Sequence, residues 1–265
     1  MNNCLNCNRP LLEGQKFCAF CGQKTALKRL SLFEIWHDVV HYFTHADKGI
    51  FQLLKALIVQ NGTVAKEFVA GKRKKYFPPL NFFLIVAALY VFMNGILSHS
   101  GIPAKPGNAS YSYRTQQNKT ASPAVQQESD RKVVLASRFL AKYSNFVAMF
   151  AAPFISLFIW LVYFRGPYHF TEHLVANLYL IGFTNLVRCM IYSPLLFLFH
   201  IHPGNRWANF LIVLFEISYR TIFYYRFMGN FSTAGKVKSF GLAIATLVAW
   251  WLLIYVFIFL FAQLS

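Results

Sequence analysis

Gly71-Lys72-Arg73-Lys74-Lys75-Tyr76-Phe77-Pro78-Pro79-Leu80 runs four consecutive cations into two aromatics and a Pro-Pro pair, and no further charge occurs until Lys105. The stretch reads as a junction between a cytosolic part and a membrane part. Cations beside an apolar run hold that side of a span in the cytosol and attract anionic lipid. Lys72, Arg73, Lys74 and Lys75 are therefore the expected contacts with anionic headgroups at the cytosolic face. Tyr76 and Phe77 are expected at headgroup depth. Pro78-Pro79 should keep a preceding helix from running straight into the first span.

Downstream, Leu80–Leu97 is uncharged over eighteen residues, close to the minimum for a bilayer span. Four further apolar runs follow. They are Tyr143–Phe164, Leu174–Phe199 (interrupted by Arg188 and Pro194), Trp207–Phe227 (carrying Glu216 and Arg220) and the uncharged Gly241–Leu264. The fold class expected is all-α, a polytopic helical membrane domain over residues 80–265 with about five spans. A flexible loop, rich in Pro, Ser, Gln and Asn, is expected at 98–132, then a helical lead-in from Val133 to Lys142.

Composition agrees. Of 265 residues, 56% are hydrophobic and only 13% charged, half the roughly 25% of soluble domains. A net charge of +17 would point to nucleic acid in a soluble chain, but loops retained at a membrane also accumulate Lys and Arg. Residues 1–79 hold twelve Lys+Arg, against seven between Lys105 and Lys142. With five spans this places the N-terminus in the cytosol and the protein in the cell membrane as a multi-pass protein. Met1-Asn2-Asn3-Cys4 lacks the cationic start and apolar run of a secretory signal.

Upstream of the junction, Cys4-x-x-Cys7 and Cys18-x-x-Cys21-Gly22 supply two pairs of thiolates. Zinc takes four soft ligands in a tetrahedron, so Cys4, Cys7, Cys18 and Cys21 predict a structural Zn2+ in a ribbon over residues 1–26. A redox dithiol is the alternative. Four protein ligands close the coordination sphere, which argues against catalysis at this ion. The segment is too short for a hydrophobic core, so metal binding would supply most of its folding energy.

Residues 27–79 read as cytosolic amphipathic helices ending in the polybasic junction. Ser31-Leu32-Phe33-Glu34 is a capping box. The helix it opens puts Leu32, Phe33, Ile35, Trp36, Val39, Val40 and Phe43 on one side. That face suits a membrane interface or the surface of the membrane domain. His37, His41 and His45 form a row on the polar side, read as a solvated face or, alternatively, as metal ligands. A second apolar helix is expected over Ile50–Val59. Asn61-Gly62 turns the chain, and Thr63 opens a short helix that Gly71 ends.

The ribbon, His41-Tyr42-Phe43-Thr44-His45-Ala46-Asp47-Lys48-Gly49, and the junction through Pro78 together resemble the bacterial family labelled domain of unknown function 3667. Glu172-His173-Leu174-Val175-Ala176-Asn177-Leu178-Tyr179 and Tyr219-Arg220 are similar to that family's membrane part. The resemblance implies a zinc-ribbon-bearing integral protein of bacterial inner-membrane type and implies no activity.

Charged groups inside spans are functional candidates. Counted from the turn near residue 203, Arg188 and Glu216 reach similar depth at ~1.5 Å per residue, and Arg220 lies one helical turn from Glu216. Arg188, Glu216 and Arg220 therefore form a candidate polar cluster. It either fastens helices together or makes a pocket for an anionic substrate or headgroup. His169, Glu172 and His173 gather before the third run. They read as a helix start capped by Thr171, or alternatively as acid-base or metal-binding groups. No Walker loop, nucleophile elbow or His-Glu-x-x-His motif is present, so nothing in the chain asks for an enzyme.

Three functions are consistent with these features. The first is a membrane-anchored interaction or regulatory protein that recruits a cytosolic partner through its ribbon. The second is a small transporter or permease component using the Arg/Glu cluster. The third is a membrane enzyme using the rim residues.

Overall fold

A computed structural model describes residues 3–12, 14–25, 49–99, 151–201 and 205–264. The expected helix from Ser31 with its His37, His41 and His45 row lies outside the described residues. So do residues 100–132 of the expected loop, the lead-in and the first part of the second apolar run.

The described chain is helical. In order it forms α1 (Gly49–Val59), α2 (Thr63–Val69), α3 (Pro79–His99), α4 (Ala151–Val162) and α5 (Phe170–Val187). A π-helical turn at Arg188–Tyr192 leads into α6 (Ser193–Leu198), followed by α7 (Arg206–Met228) and α8 (Thr233–Leu264). Among the described residues there is no strand, only isolated bridges at Asn3–Pro10 and Phe17–Lys24.

The bundle is built around α5, whose residues from Glu172 to Thr184 are all buried. A helix apolar on every side must be enclosed on every side. Alongside it α3 runs parallel: Phe82 lies against Gly182, and the Cys189 thiol donates to the Leu89 carbonyl. On Gly182 a Cβ would sit 2.7 Å from the Phe82 ring, so this close approach requires glycine. The antiparallel α4 is tied by the Asn177 amide, which donates to Ser156 Oγ at 3.1 Å and to the Ala152 carbonyl at 3.3 Å. Also antiparallel, α7 stacks Tyr219 on Phe183 at 4.7 Å, and α8 packs against α7.

Residues 49–79 differ from the expectation of surface-lying helices. The inner faces of α1 and α2 (Leu53, Leu57, Val64, Ala65 and Phe68) enter the main core. The cause is the turn between them. Asn61 adopts φ 52, and a Cβ on Gly62 would fall 1.8 Å from the Phe223 carbonyl oxygen of α7. Only glycine lets the hairpin settle on that backbone. Tyr219 then donates to the Leu57 carbonyl at 3.1 Å and Arg226 Nη1 to the Val59 carbonyl at 2.9 Å. Tyr76 and Phe77 also turn inward, at 3% and 6% exposure, because Tyr76 reaches Gln60 just past α1 and Glu67 on α2, and the Phe77 carbonyl accepts from Tyr179 at 2.6 Å. As expected from Pro78-Pro79, the long helix starts afresh at Pro79.

Among the described residues two helices are long and apolar enough to cross a membrane, Phe170–Leu198 and Thr233–Val256. Two thirds of the first is buried inside the bundle, whereas only 22% of the second is. Of the other expected runs, α7 is long enough but carries Arg206, Glu216, Arg220 and Arg226. The described apolar stretches of α3 and α4, Pro79–Met93 and Ala151–Val162, are shorter.

Candidate functional site

The N-terminal module is two copies of one turn. The amide of Asn8 donates to the Cys4 carbonyl at 2.8 Å, and the amide of Gly22 to the Cys18 carbonyl at 2.9 Å. The Cys4 amide then donates to Arg9 and the Cys18 amide to Gln23, both at 2.8 Å. Each turn closes with a left-handed residue, Asn8 at φ 59 and Gly22 at φ 67. Asparagine is one of the few residues besides glycine that adopt that conformation. Asn8 was not singled out in the sequence, although it follows Cys7 as Gly22 follows Cys21.

The two turns bring the four Sγ atoms within 4.8 Å of one another. Cys4 and Cys21 lie 3.6 Å apart and Cys7 and Cys18 3.7 Å apart. A tetrahedral ion with metal–sulfur bonds of ~2.3 Å requires sulfurs about 3.8 Å apart, so the residues fit a tetrahedral metal ion. Backbone amides of Cys21 and Phe20 point at the Cys18 sulfur and hold its pKa below the ordinary 9.0, which favours the thiolate a metal needs. The module is tied to the junction as well. The buried Gln23 side chain accepts from the Lys74 amide at 3.2 Å, fifty-one residues away.

At the junction the cations converge on one carboxylate. Lys72 donates to Glu67 Oε1 at 2.8 Å, while Lys75 and the Tyr76 hydroxyl both donate to Oε2 at 2.6 Å. Burial alone would raise the Glu67 pKa, but these three donors outweigh it and bring it down to about 2 from an ordinary 4.5. Lys75 is raised, first by that hydrogen bond to Glu67. Lys72 and Lys75, both expected lipid contacts, are therefore engaged within the protein.

Inside the bundle, Arg188 Nε donates to Glu216 Oε1 at 2.5 Å, linking the start of the π turn to α7. Glu216 is almost fully enclosed and Arg188 is half-buried. Among the described residues Arg220 makes no ion pair, and its Nε has no hydrogen-bond partner. One helical turn on, the buried Tyr224 hydroxyl is also without a partner. Glu216, Arg220 and Tyr224 thus form an i, i+4, i+8 row on α7.

That row ends at His173. The ring is fully enclosed between Tyr163 and Tyr224, stacked at 6.0 and 6.3 Å, with the edges of Tyr168 and Phe227 completing the cage. Among the described residues neither ring nitrogen has a hydrogen-bond partner. The structure therefore separates the rim residues. His169 stays exposed at the helix start, and its backbone N–H donates to Glu172 at 2.7 Å, while His173 turns into the core. The cap is His169 with Glu172 reaching back, not Thr171, because the helix begins one residue before that threonine.

Residues 47–91 match the model of a family described as protein of unknown function (DUF3667). The matched segment runs through α1, α2 and the junction into α3. It holds Gly62, Glu67 and the four cations, the parts that insert the hairpin and close the junction. The match supports the resemblance over this segment; the metal module and the bundle beyond residue 91 lie outside it. No curated protein and no solved structure matches the chain.

Proposed function

We propose that this is an integral membrane protein whose N-terminal metal module recruits a cytosolic protein partner to the helical bundle. The observation that carries the reading is the surface of the module. Its four ligands close the coordination sphere and leave no position for a substrate, yet it exposes Leu5, Leu12, Phe17 and Phe20. Large apolar side chains gathered on so small a unit are typical of a recognition surface. Zinc is the ion expected there, since four thiolates in a tetrahedron suit zinc in a protein without other iron–sulfur signals.

Membrane insertion is supported by the outer face of the bundle. Phe154, Leu161, Leu211, Leu214, Val248, Trp251, Leu252 and Phe259 are all exposed on α4, α7 and α8, far more apolar surface than a water-soluble monomer carries. Orientation is supported by charge. Lys66, whose amine lies beside Gly229, shares one end of the bundle with Arg165, Arg226, Lys236 and Lys238. We assign that end to the cytosol, with about five spans in a bacterial inner membrane.

Proximity labelling from the N-terminus tests the recruitment reading. Wild type should label a discrete partner set. Phe17→Ala/Phe20→Ala, which spares every ligand, should lose it as completely as Cys4→Ser. Identical labelling in all three would end the proposal.

A second reading, passage or binding of a small polar solute, is favoured by the partnerless atoms of Arg220, Tyr224 and His173. Buried polar groups normally find a partner. If solute passage is the function, Arg220→Met should abolish flux in reconstituted vesicles at normal protein levels. Unchanged flux would remove this reading.

A further inference from the structure

Where the α4–α5 loop meets the α7–α8 turn, the bundle end opens into a cavity of about 540 Å3. Its floor and walls include Tyr163, Tyr225, Asn230 and Ser239, and its mouth carries Arg165 and Lys238. The walls are held by close backbone approaches. A Cβ on Gly235 would lie 2.2 Å from the Asn230 carbonyl oxygen, and one on Gly166 would lie 2.8 Å from the Tyr163 carbonyl oxygen. The cavity is therefore a built feature of the two turns.

Its chemistry is one-sided. Lys238 Nζ sits 4.1 Å above the Tyr163 ring and Lys236 Nζ 5.8 Å from the Tyr225 ring. Both ammonium groups rest on cavity walls by cation–π contact. Arg165 and Lys238 are exposed and carry no ion pair among the described residues. No acidic residue occurs between residues 131 and 171 or anywhere after Glu216, so neither turn supplies a carboxylate to neutralise them. Unopposed cations around a cavity of small-ligand size call for an anion.

The surroundings say which anion. Leu161, Val162 and Phe164 line the cavity and are exposed on one side, with Phe231, Val237 and Phe240 exposed on the neighbouring turn and helix. A polar, cationic pocket continuous with exposed apolar helix surface has the two-part character of a phospholipid, with a phosphate at one end and acyl chains at the other. We propose that this cavity binds the phosphate headgroup of an anionic phospholipid from the cytosolic leaflet, with Arg165 and Lys238 on the phosphate and the chains along Leu161 and Phe164. This rests on the membrane reading above and goes beyond it, since nothing in that reading requires a specific lipid.

Native mass spectrometry of the full-length protein in detergent, titrated with phosphatidylglycerol, reads the site directly. Wild type should retain one phosphatidylglycerol in preference to phosphatidylcholine. Arg165→Gln/Lys238→Gln should weaken that retention on the order of tenfold, while Lys55→Gln, an exposed cation on α1, leaves it unchanged. Both substituted side chains are exposed, so folding is spared. Should the double variant nevertheless express poorly, Arg165→Glu alone carries the same expectation. Equal retention in the double variant and wild type overturns the proposal. So does competition by soluble glycerol phosphate at the lipid's own concentration, which would make the ligand a free phosphate compound. Alkaline carbonate extraction of cell membranes separates the two readings: protein released by carbonate refutes membrane insertion itself, whereas retained protein without lipid preference refutes only the cavity.

Discussion

Residues 3–25 and the helical bundle are ordered by opposite means. The four-cysteine module has almost no interior: Cys4, Cys18 and Gln23 are its buried side chains among the described residues, and its large apolar groups face outward. The bundle has a continuous core from Leu53 to Leu242, crowded with Phe and Tyr. In the module, four sulfurs do what some two dozen side chains do in the bundle. One unit should therefore depend wholly on its ion and the other be indifferent to it.

That contrast sets the largest expected effect. Structural zinc sites contribute roughly 10–16 kcal/mol of apparent binding energy, which is folding energy for a unit without a core. Stripping the metal with a chelator, or replacing Cys4 with Ser, should release the amides of residues 3–25 to free hydrogen exchange. The thermal transition of the bundle should stay where it is. A module that keeps its protection without metal would break the comparison.

Within the bundle, the Arg188–Glu216 pair is the next most sensitive point. Glu216 is enclosed while Arg188 is half-buried, so removing the arginine leaves a buried carboxylate without its partner and costs about 2–3 kcal/mol, less than a fully buried pair, whereas replacing both by apolar groups is often neutral. Arg188→Met should therefore destabilise strongly, and Arg188→Met/Glu216→Leu should recover most of the loss in chemical unfolding. If the single variant is neutral, Arg220 has taken over as the partner of Glu216. That would show that the row on α7 rearranges.

Gly62→Ala probes how α1 and α2 join the core. With the added Cβ 1.8 Å from the Phe223 oxygen, the hairpin must lift off α7. That should cost ~3 kcal/mol, the upper part of the overpacking range, and break the bonds from Tyr219 and Arg226 to the Leu57 and Val59 carbonyls. Gly49→Ala, whose Cβ would meet only a Phe77 ring atom at 3.9 Å, should be tolerated. Thermal unfolding of both variants measures the difference.

These same residues mark what was legible in the sequence. The cysteine spacing named all four members of the thiol cluster, because paired cysteines are written in short local repeats. Helices and their turns were legible from apolar runs and from Asn61-Gly62, and the Arg188–Glu216 contact followed from counting equal depth on either side of a turn. What local pattern cannot show is which face meets which. Tyr76 and Phe77 have the composition of an interfacial belt, but their direction depends on Gln60, Glu67 and Tyr179, which are distant in sequence. His173 looked like a member of a rim cluster with its neighbour Glu172. Both are buried on α5, and of the three rim residues only His169, which precedes the first turn of the helix, stays at the surface.

The smallest effect predicted concerns the closure of the junction itself. Glu67 titrates at about 2 in the folded protein against an ordinary 4.5, so folding favours its ionised form. A depressed carboxylate contributes stability that is complete above the unfolded value and is lost as pH falls through the folded one. The junction's contribution should therefore be full above about pH 4.5, decline between about 4.5 and 2, and vanish below. Glu67→Gln keeps the side-chain size and one acceptor but cannot ionise. It should unfold at a lower temperature than wild type at pH 6, and the gap should close steadily as the pH is lowered across that window. The bundle core, held by aromatic packing, sets the remaining stability in both proteins and cancels from the difference. A gap that stays constant from pH 6 to 2 would mean that Lys72, Lys75 and Tyr76 are positioned by the fold around them and not by the carboxylate. The junction would then be a consequence of the inserted hairpin and no longer one of its causes.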